Sequence, residues 1–188
     1  AEVRGAVTPL SFTGHAYFNL EGQGATQALD HVLQVDAQHY VPVRPDRIPT
    51  GELAPVEGTA VDFRAPRMVR DALAQGHAQL ALGAVPGFDH CFVIDGAGLR
   101  RQARLVAPGS GIAMEVWSDA PGLQLYSCAP MDGSLPRHAG KQGRVYTSGA
   151  ALCLEPQQLP DAPNQVRFPP VMHAPGECVR GAIEYRFF

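Results

Sequence analysis

The sequence predicts an all-β protein, a sandwich or barrel of antiparallel strands. Apolar and polar residues alternate with a period of two along much of the chain. Turn signals recur between the alternating runs, from Glu21-Gly22-Gln23-Gly24 and Pro49-Thr50-Gly51 to Pro121-Gly122, Asp132-Gly133 and Pro175-Gly176. Glycine and proline number 20 and 17 of 188 residues, more than a helical protein carries.

Leu33, Val35 and Ala37 alternate with Gln34, Asp36 and Gln38, the pattern of a half-buried strand. Arg67 to Leu82 is the one stretch with helical character, and Gly76 interrupts it, so a short helix or an ordered loop is expected there. Phe92-Val93-Ile94 opens a strand after the turn at Gly87. Gln102–Val106 and the run Ile112, Met114, Val116 flank Pro108-Gly109-Ser110-Gly111, the signature of a hairpin loop. Leu123–Tyr126 is a further strand. Ala150-Ala151-Leu152-Cys153-Leu154 lacks a polar phase, which predicts a central strand covered on both faces. Pro156 to Pro170 carries no strand signal, and a loop of that length is often functional. Val179 to Phe187 closes the chain with the clearest alternation of all. Nothing divides these elements, so residues 1–188 are expected to form one domain.

Composition narrows the function. The apolar fraction is 45% and the charged fraction only 18%, which excludes coiled coils and charge-driven disorder. A net charge of −3 gives no footprint for nucleic acid. No apolar stretch reaches about 18 residues, so no membrane-spanning helix is expected. The first residues have neither the basic nor the apolar region of a signal peptide. Cys91, Cys128, Cys153 and Cys178 form no CxxC pair, and each sits in an apolar context. They predict buried thiols in a reducing compartment, hence a cytoplasmic protein.

Four polar clusters could carry chemistry. In an extended segment His15, Tyr17 and Asn19 share one face above a hydrophobic backing, a polar floor suited to a ligand, or merely a wet surface strand. Asp89 and His90 lie at a strand mouth and point to opposite sides, where turn capping and a satisfied histidine are the plain alternative. Glu155 ends the most hydrophobic strand, where desolvation would raise its proton affinity toward that of a general base, unless it reaches water. Gln124 is the polar phase of an apolar strand, a position often filled by a satisfied core amide.

Together these segments resemble the aldose 1-epimerases, or galactose mutarotases. The resemblance rests on His15-Ala16-Tyr17-Phe18-Asn19-Leu20, on Tyr40-Val41-Pro42-Val43 and Ile48-Pro49-Thr50-Gly51-Glu52, and on Val61-Asp62-Phe63-Arg64. It continues through Gly87-Phe88-Asp89-His90, Pro121 to Tyr126, Leu154-Glu155-Pro156-Gln157 and Pro160 to Asn164. It implies a large antiparallel β-sandwich with a monosaccharide bound in an open cleft across one sheet. It implies Glu155 as the general base at the anomeric hydroxyl and His15 as the general acid at the ring oxygen. Asp89, Gln124 and Tyr17 would contact the sugar. Such proton transfer needs neither metal nor cofactor.

The resemblance also implies that the chain corresponds to the C-terminal half of the family or a little more. The family's Asn-Arg motif and second active-site histidine then have no counterpart here, and His31, His39, His77, His138 and His173 are expected to be surface or structural. Gly14 replaces an asparagine, and Cys128 to Gly133 departs from the family pattern. A truncated sandwich would expose strand edges and apolar faces, to be covered by a longer chain, a partner or self-association. The competing readings are a carbohydrate-binding domain without turnover and a sugar-phosphate epimerase. The last would need a basic pocket, for which Arg44, Arg47 and Arg64 are scattered in sequence.

Overall fold

A computed structural model describes residues 1–23 and 27–188. Gly24, the last residue of the first turn signal, lies outside them. In chain order the strands are β1 (Thr8–Pro9), β2 (Tyr17–Phe18), β3 (Val32–Val35), β4 (Ala37–Val41), β5 (Ala54–Pro55), β6 (Arg67–Met68) and β7 (Asp89–Ile94). They continue with β8 (Arg100–Val106), β9 (Ala113–Ser118), β10 (Gly122–Tyr126), β11 (Leu152–Gln157), β12 (Met172–His173) and β13 (Ile183–Phe187). A six-stranded sheet runs β2-β11-β10-β7-β4-β5 and a five-stranded sheet β13-β9-β8-β3-β6; β1 and β12 pair separately. Every strand pair among the described residues is antiparallel.

The two large sheets form a sandwich, as expected. Leu123, Leu125, Leu152, Leu154 and Phe92 of one sheet and Leu33, Val35, Leu105, Met114 and Val116 of the other belong to one buried cluster. Removing side chains of this size from water stabilises the fold by roughly 1.5–3 kcal/mol each. The hairpin around Pro108-Gly109-Ser110-Gly111 joins β8 to β9. The helical stretch is α1 (Val69–Gln75), which buries Val69 and Ala72 and stops at Gly76, where φ is +76°. There a left-handed backbone favours glycine. A short 3₁₀ turn over Ala78–Ala81 follows.

Three expectations about the strands needed adjustment. Leu33, Val35 and Ala37 do face the core, but the chain changes sheets at Asp36, whose carboxylate takes two hydrogen bonds from Arg101 at 3.0 and 3.1 Å. One alternating run therefore supplies β3 to one sheet and β4 to the other. The closing strand begins at Ile183, later than its alternation suggested. β11 begins at Leu152 and continues past Glu155 to Gln157, so Glu155 lies within the strand. Pro156 is tolerated there because β2 pairs only with Leu152 and Cys153, leaving that side of β11 without a ladder at the proline.

The segment after β11 lies back over the outer face of the six-stranded sheet. Its Leu159, Ala162, Phe168 and Val171 pack on Val41 and Cys91 in a second buried cluster. Cys128 and Cys153 are also fully buried, but Cys178 is exposed, against expectation. It follows the Pro175-Gly176 turn, outside both large sheets, where the chain is held by backbone hydrogen bonds to Ala1 and Val3 around the Glu2–Cys178 bridge. At the β2 and β13 edges the sandwich leaves Tyr17, Phe187 and Phe188 exposed. None of the described helices is long and apolar enough to cross a membrane.

Candidate active site

Where the outer face of the six-stranded sheet is not covered, a cleft of about 510 Å³ opens over β2, β11, β10 and β7. Strand register decides what lines it. Glu155 stands opposite Gln124, and Gln124 opposite Cys91. In the neighbouring row Tyr17 pairs with Cys153, Cys153 with Tyr126, and Tyr126 with Asp89. Side chains two residues apart share a face, so both rows project from the same side. Extending the Tyr17–Cys153 pairing by two residues brings His15 opposite Glu155. The structure thus brings His15, Tyr17, Asp89, Gln124 and Glu155 together around one cleft, although as many as 140 positions separate them in the chain.

His15 Nε2 lies 3.6 Å from Glu155 Oε1. The imidazole is half exposed and the carboxylate almost buried, with side-chain accessibilities of 50% and 8%. Tyr17 stacks on the His15 ring at 4.9 Å between centroids, and Tyr126 meets it edge-on at 6.0 Å. The imidazole is therefore braced on two sides while its open side faces the cleft. Burial pushes the Glu155 carboxyl above the ordinary glutamate range; the His15 charge pulls it down and Asp89 pushes it up. The upward cause is the larger, which gives the carboxylate the proton affinity of a base.

Gln124 Nε2 donates to Asp89 Oδ1 at 2.8 Å. The buried Gln124 Oε1 has no hydrogen-bond partner, leaving an acceptor for a ligand hydroxyl. This is not a satisfied core amide. Asp89 and His90 do point to opposite sides: Asp89 lines the cleft, and His90 is buried beneath the sheet. Burial lowers the His90 pKa to about 4, so its ring is neutral, and its Nδ1 accepts from the Asp89 backbone N–H. Tyr126 is held protonated, its phenol pushed up to about 12 by burial.

Two lining residues share a phase with residues already singled out: Tyr126 with Gln124, and Gln157 with Glu155. Extending the alternation by one step finds both. Arg47 also lines the cleft, in a left-handed turn at φ +67°. Arg44 and Arg64 instead pair with Asp46 and Asp62 away from it, so the three arginines form no common basic pocket. Asn19, the third polar residue of its segment, donates to the Ala150 carbonyl and lines a neighbouring cavity of about 690 Å³ with Tyr146 and His138. His31 is buried and accepts from the Leu20 N–H, a structural role as expected.

Known proteins resemble this chain in both sequence and fold. Human galactose mutarotase is 43% identical over 171 residues, covering 90% of this chain and 47% of that protein. The aldose 1-epimerase of Escherichia coli strain K12 is 32% identical over 183 residues, covering 95% and 51%. Among solved structures, an aldose epimerase homologue from C. elegans superposes with a TM-score of 0.81 at 29% identity, covering 96% of this chain and 51% of that one. Galactose 1-epimerase from Lactobacillus acidophilus superposes at 0.79 and 27% identity, covering 97% and 50%. The chain therefore spans about half the length of the relatives it matches. The aldose 1-epimerase pattern itself matches residues 1–186, nearly the whole chain, and the chain belongs to the aldose 1-epimerase family.

Proposed function

We propose that this chain carries the acid–base centre of a mutarotase, interconverting the α and β anomers of an aldohexose such as galactose or glucose. The observation that carries the reading is the His15–Glu155 approach of 3.6 Å in a cleft that also presents Asp89 and Gln124. The Glu155 carboxylate takes the proton of the anomeric hydroxyl. The C1–O5 bond breaks as the His15 imidazolium gives its proton to O5. The open-chain aldehyde turns about C1–C2, and the same two groups return the protons in reverse. A carboxylate–imidazolium pair becomes a neutral pair and back, so the site undergoes no net change in charge. Asp89 and Gln124 hold ring hydroxyls, and Tyr17 backs the imidazole. A positioned acid or base contributes roughly 10²–10⁴-fold to rate, and fixing the ring adds orientation.

The test is polarimetric mutarotation of α-galactose or α-glucose. Glu155→Gln should lower kcat by roughly 10²–10⁴-fold, since the amide cannot accept the proton. A rate within a few-fold of the parent would reject the base assignment. Calorimetric sugar binding by the parent chain with no rate above the buffer blank would favour a binding domain without turnover.

A further inference from the structure

We propose that His15, Cys153 and Glu155 form a binding site for a thiophilic divalent cation, Zn²⁺ being the best match. A ring nitrogen of His15, the Sγ of Cys153 and a carboxylate oxygen of Glu155 all lie within 4.8 Å of one another. Tetrahedral Zn²⁺ has bonds of about 2.0–2.3 Å to nitrogen, oxygen and sulfur, which puts neighbouring ligand atoms roughly 3.4–3.6 Å apart. The His15–Glu155 separation of 3.6 Å already meets that spacing. The remaining closure requires the His15 and Glu155 side chains to turn toward the buried Cys153 thiol, which burial and the neighbouring Cys128 hold protonated until a metal ion displaces the proton.

The backbone explains the convergence. Cys153 and Glu155 are two residues apart on one strand and share its outer face, while His15 reaches them from the neighbouring segment. Two of the three ligands are thus anchored in a paired strand. One imidazole, one thiolate and one carboxylate, with a fourth position open to water, is a donor set borderline-soft Zn²⁺ accepts, and one that Mg²⁺ or Ca²⁺, which prefer oxygen, does not. Binding displaces the thiol proton to solvent and forms the metal–sulfur bond, with no change of oxidation state.

Binding at this site stands apart from the mutarotase reading, because Cys153 has no part in the proton transfers. If that reading also holds, the same ion blocks turnover by occupying both the proton donor and the proton acceptor.

Co²⁺ and Zn²⁺ test the proposal on the full chain, kept reduced. Co²⁺ should produce a thiolate-to-cobalt charge-transfer band, and Zn²⁺ should abolish it by competition. Cys153→Ser should remove the band and weaken Zn²⁺ binding, measured against a chromophoric chelator, by at least about tenfold. Cys178→Ser, at an exposed thiol remote from the cleft, should change neither. His15→Ala truncates a half-exposed side chain, so it tests the site even if the Cys153 variant fails to fold; it should weaken Zn²⁺ binding to a similar degree. A band that survives in Cys153→Ser, or unchanged Zn²⁺ affinity in His15→Ala, overturns the proposal. Both readouts are obtained without sugar turnover, so an inactive chain that binds Zn²⁺ upholds this inference while refuting the catalytic one.

Discussion

Replacing Asp89 tests whether the cleft holds a sugar in the way its geometry implies. Asp89 is fixed at the start of β7 and its Oδ1 accepts from Gln124 Nε2 at 2.8 Å, so the carboxylate both offers acceptors to a ligand and orients the amide beside it. A hydrogen bond to a charged group contributes about 1.5–3 kcal/mol, and a neutral one about 0.5–1.5 kcal/mol. Asp89→Ala removes the charged acceptor; at about 1.4 kcal/mol per tenfold, sugar binding should weaken roughly 12- to 140-fold. Asp89→Asn can still accept from Gln124 through its own carbonyl, and loses only the charge, about 1–1.5 kcal/mol or roughly 5- to 12-fold. The assay is calorimetric titration with galactose and with glucose, alongside KM from polarimetry. The order parent, Asn, Ala in falling affinity is the expected result. An Ala variant within about twofold of the parent would show that the carboxylate does not touch the ligand.

Burial raises the Glu155 pKa, so the acid limb of kcat/KM should fall at a higher pH than an ordinary glutamate would give, measured by polarimetry across the acid range. The same shift has a consequence for stability. A carboxyl whose folded pKa exceeds its unfolded value favours folding most below the unfolded pKa, and that contribution is lost as pH rises through the folded one. Glu155→Gln should therefore raise Tm at neutral pH, with the gain fading below about pH 4.5, as calorimetric scans at several pH values would show; a lower Tm at neutral pH would contradict it. A Cβ added at Gly87 would stand 2.7 Å from Ser127 Oγ and closer still to Ala129 Cβ. Gly87→Ala should accordingly cost about 1–3 kcal/mol, a fall of roughly 2–12 °C in Tm.

Much of this architecture was legible because period-two alternation is a direct record of which side of a sheet each residue faces. Leu33, Val35 and Ala37 could be assigned to the core, and Gln124 to the face opposite Leu123 and Leu125, from that rule alone. Sheet membership was not legible. Leu33 to Gln38 reads as one strand because alternation continues through Asp36, yet the chain bends there into a second layer, held by an ion pair to Arg101 that lies far away in sequence. The clustering of the site was equally hidden, since it depends on which strands become neighbours. The family pattern suggested the roles proposed for His15 and Glu155; the pairing of Tyr17 with Cys153 explains why the two meet. Arg47 was weighed only as one of three scattered arginines, because a left-handed turn, which alternation does not describe, carries it to the cleft.

β10 has hydrogen-bonded neighbours on both sides, and the acidic and amide groups of the cleft stand on it and on the strands flanking it. Amides so placed open to solvent only when the whole domain opens. The rim around Pro130 and Pro160 can lengthen, shorten or be cleaved while the distances between those groups stay set by the spacing of strands. Variation among descendants of such a protein is thereby channelled to the rim, where it alters which hydroxyls are welcomed, and withheld from the lattice beneath, where a single slip would dismantle chemistry and fold together.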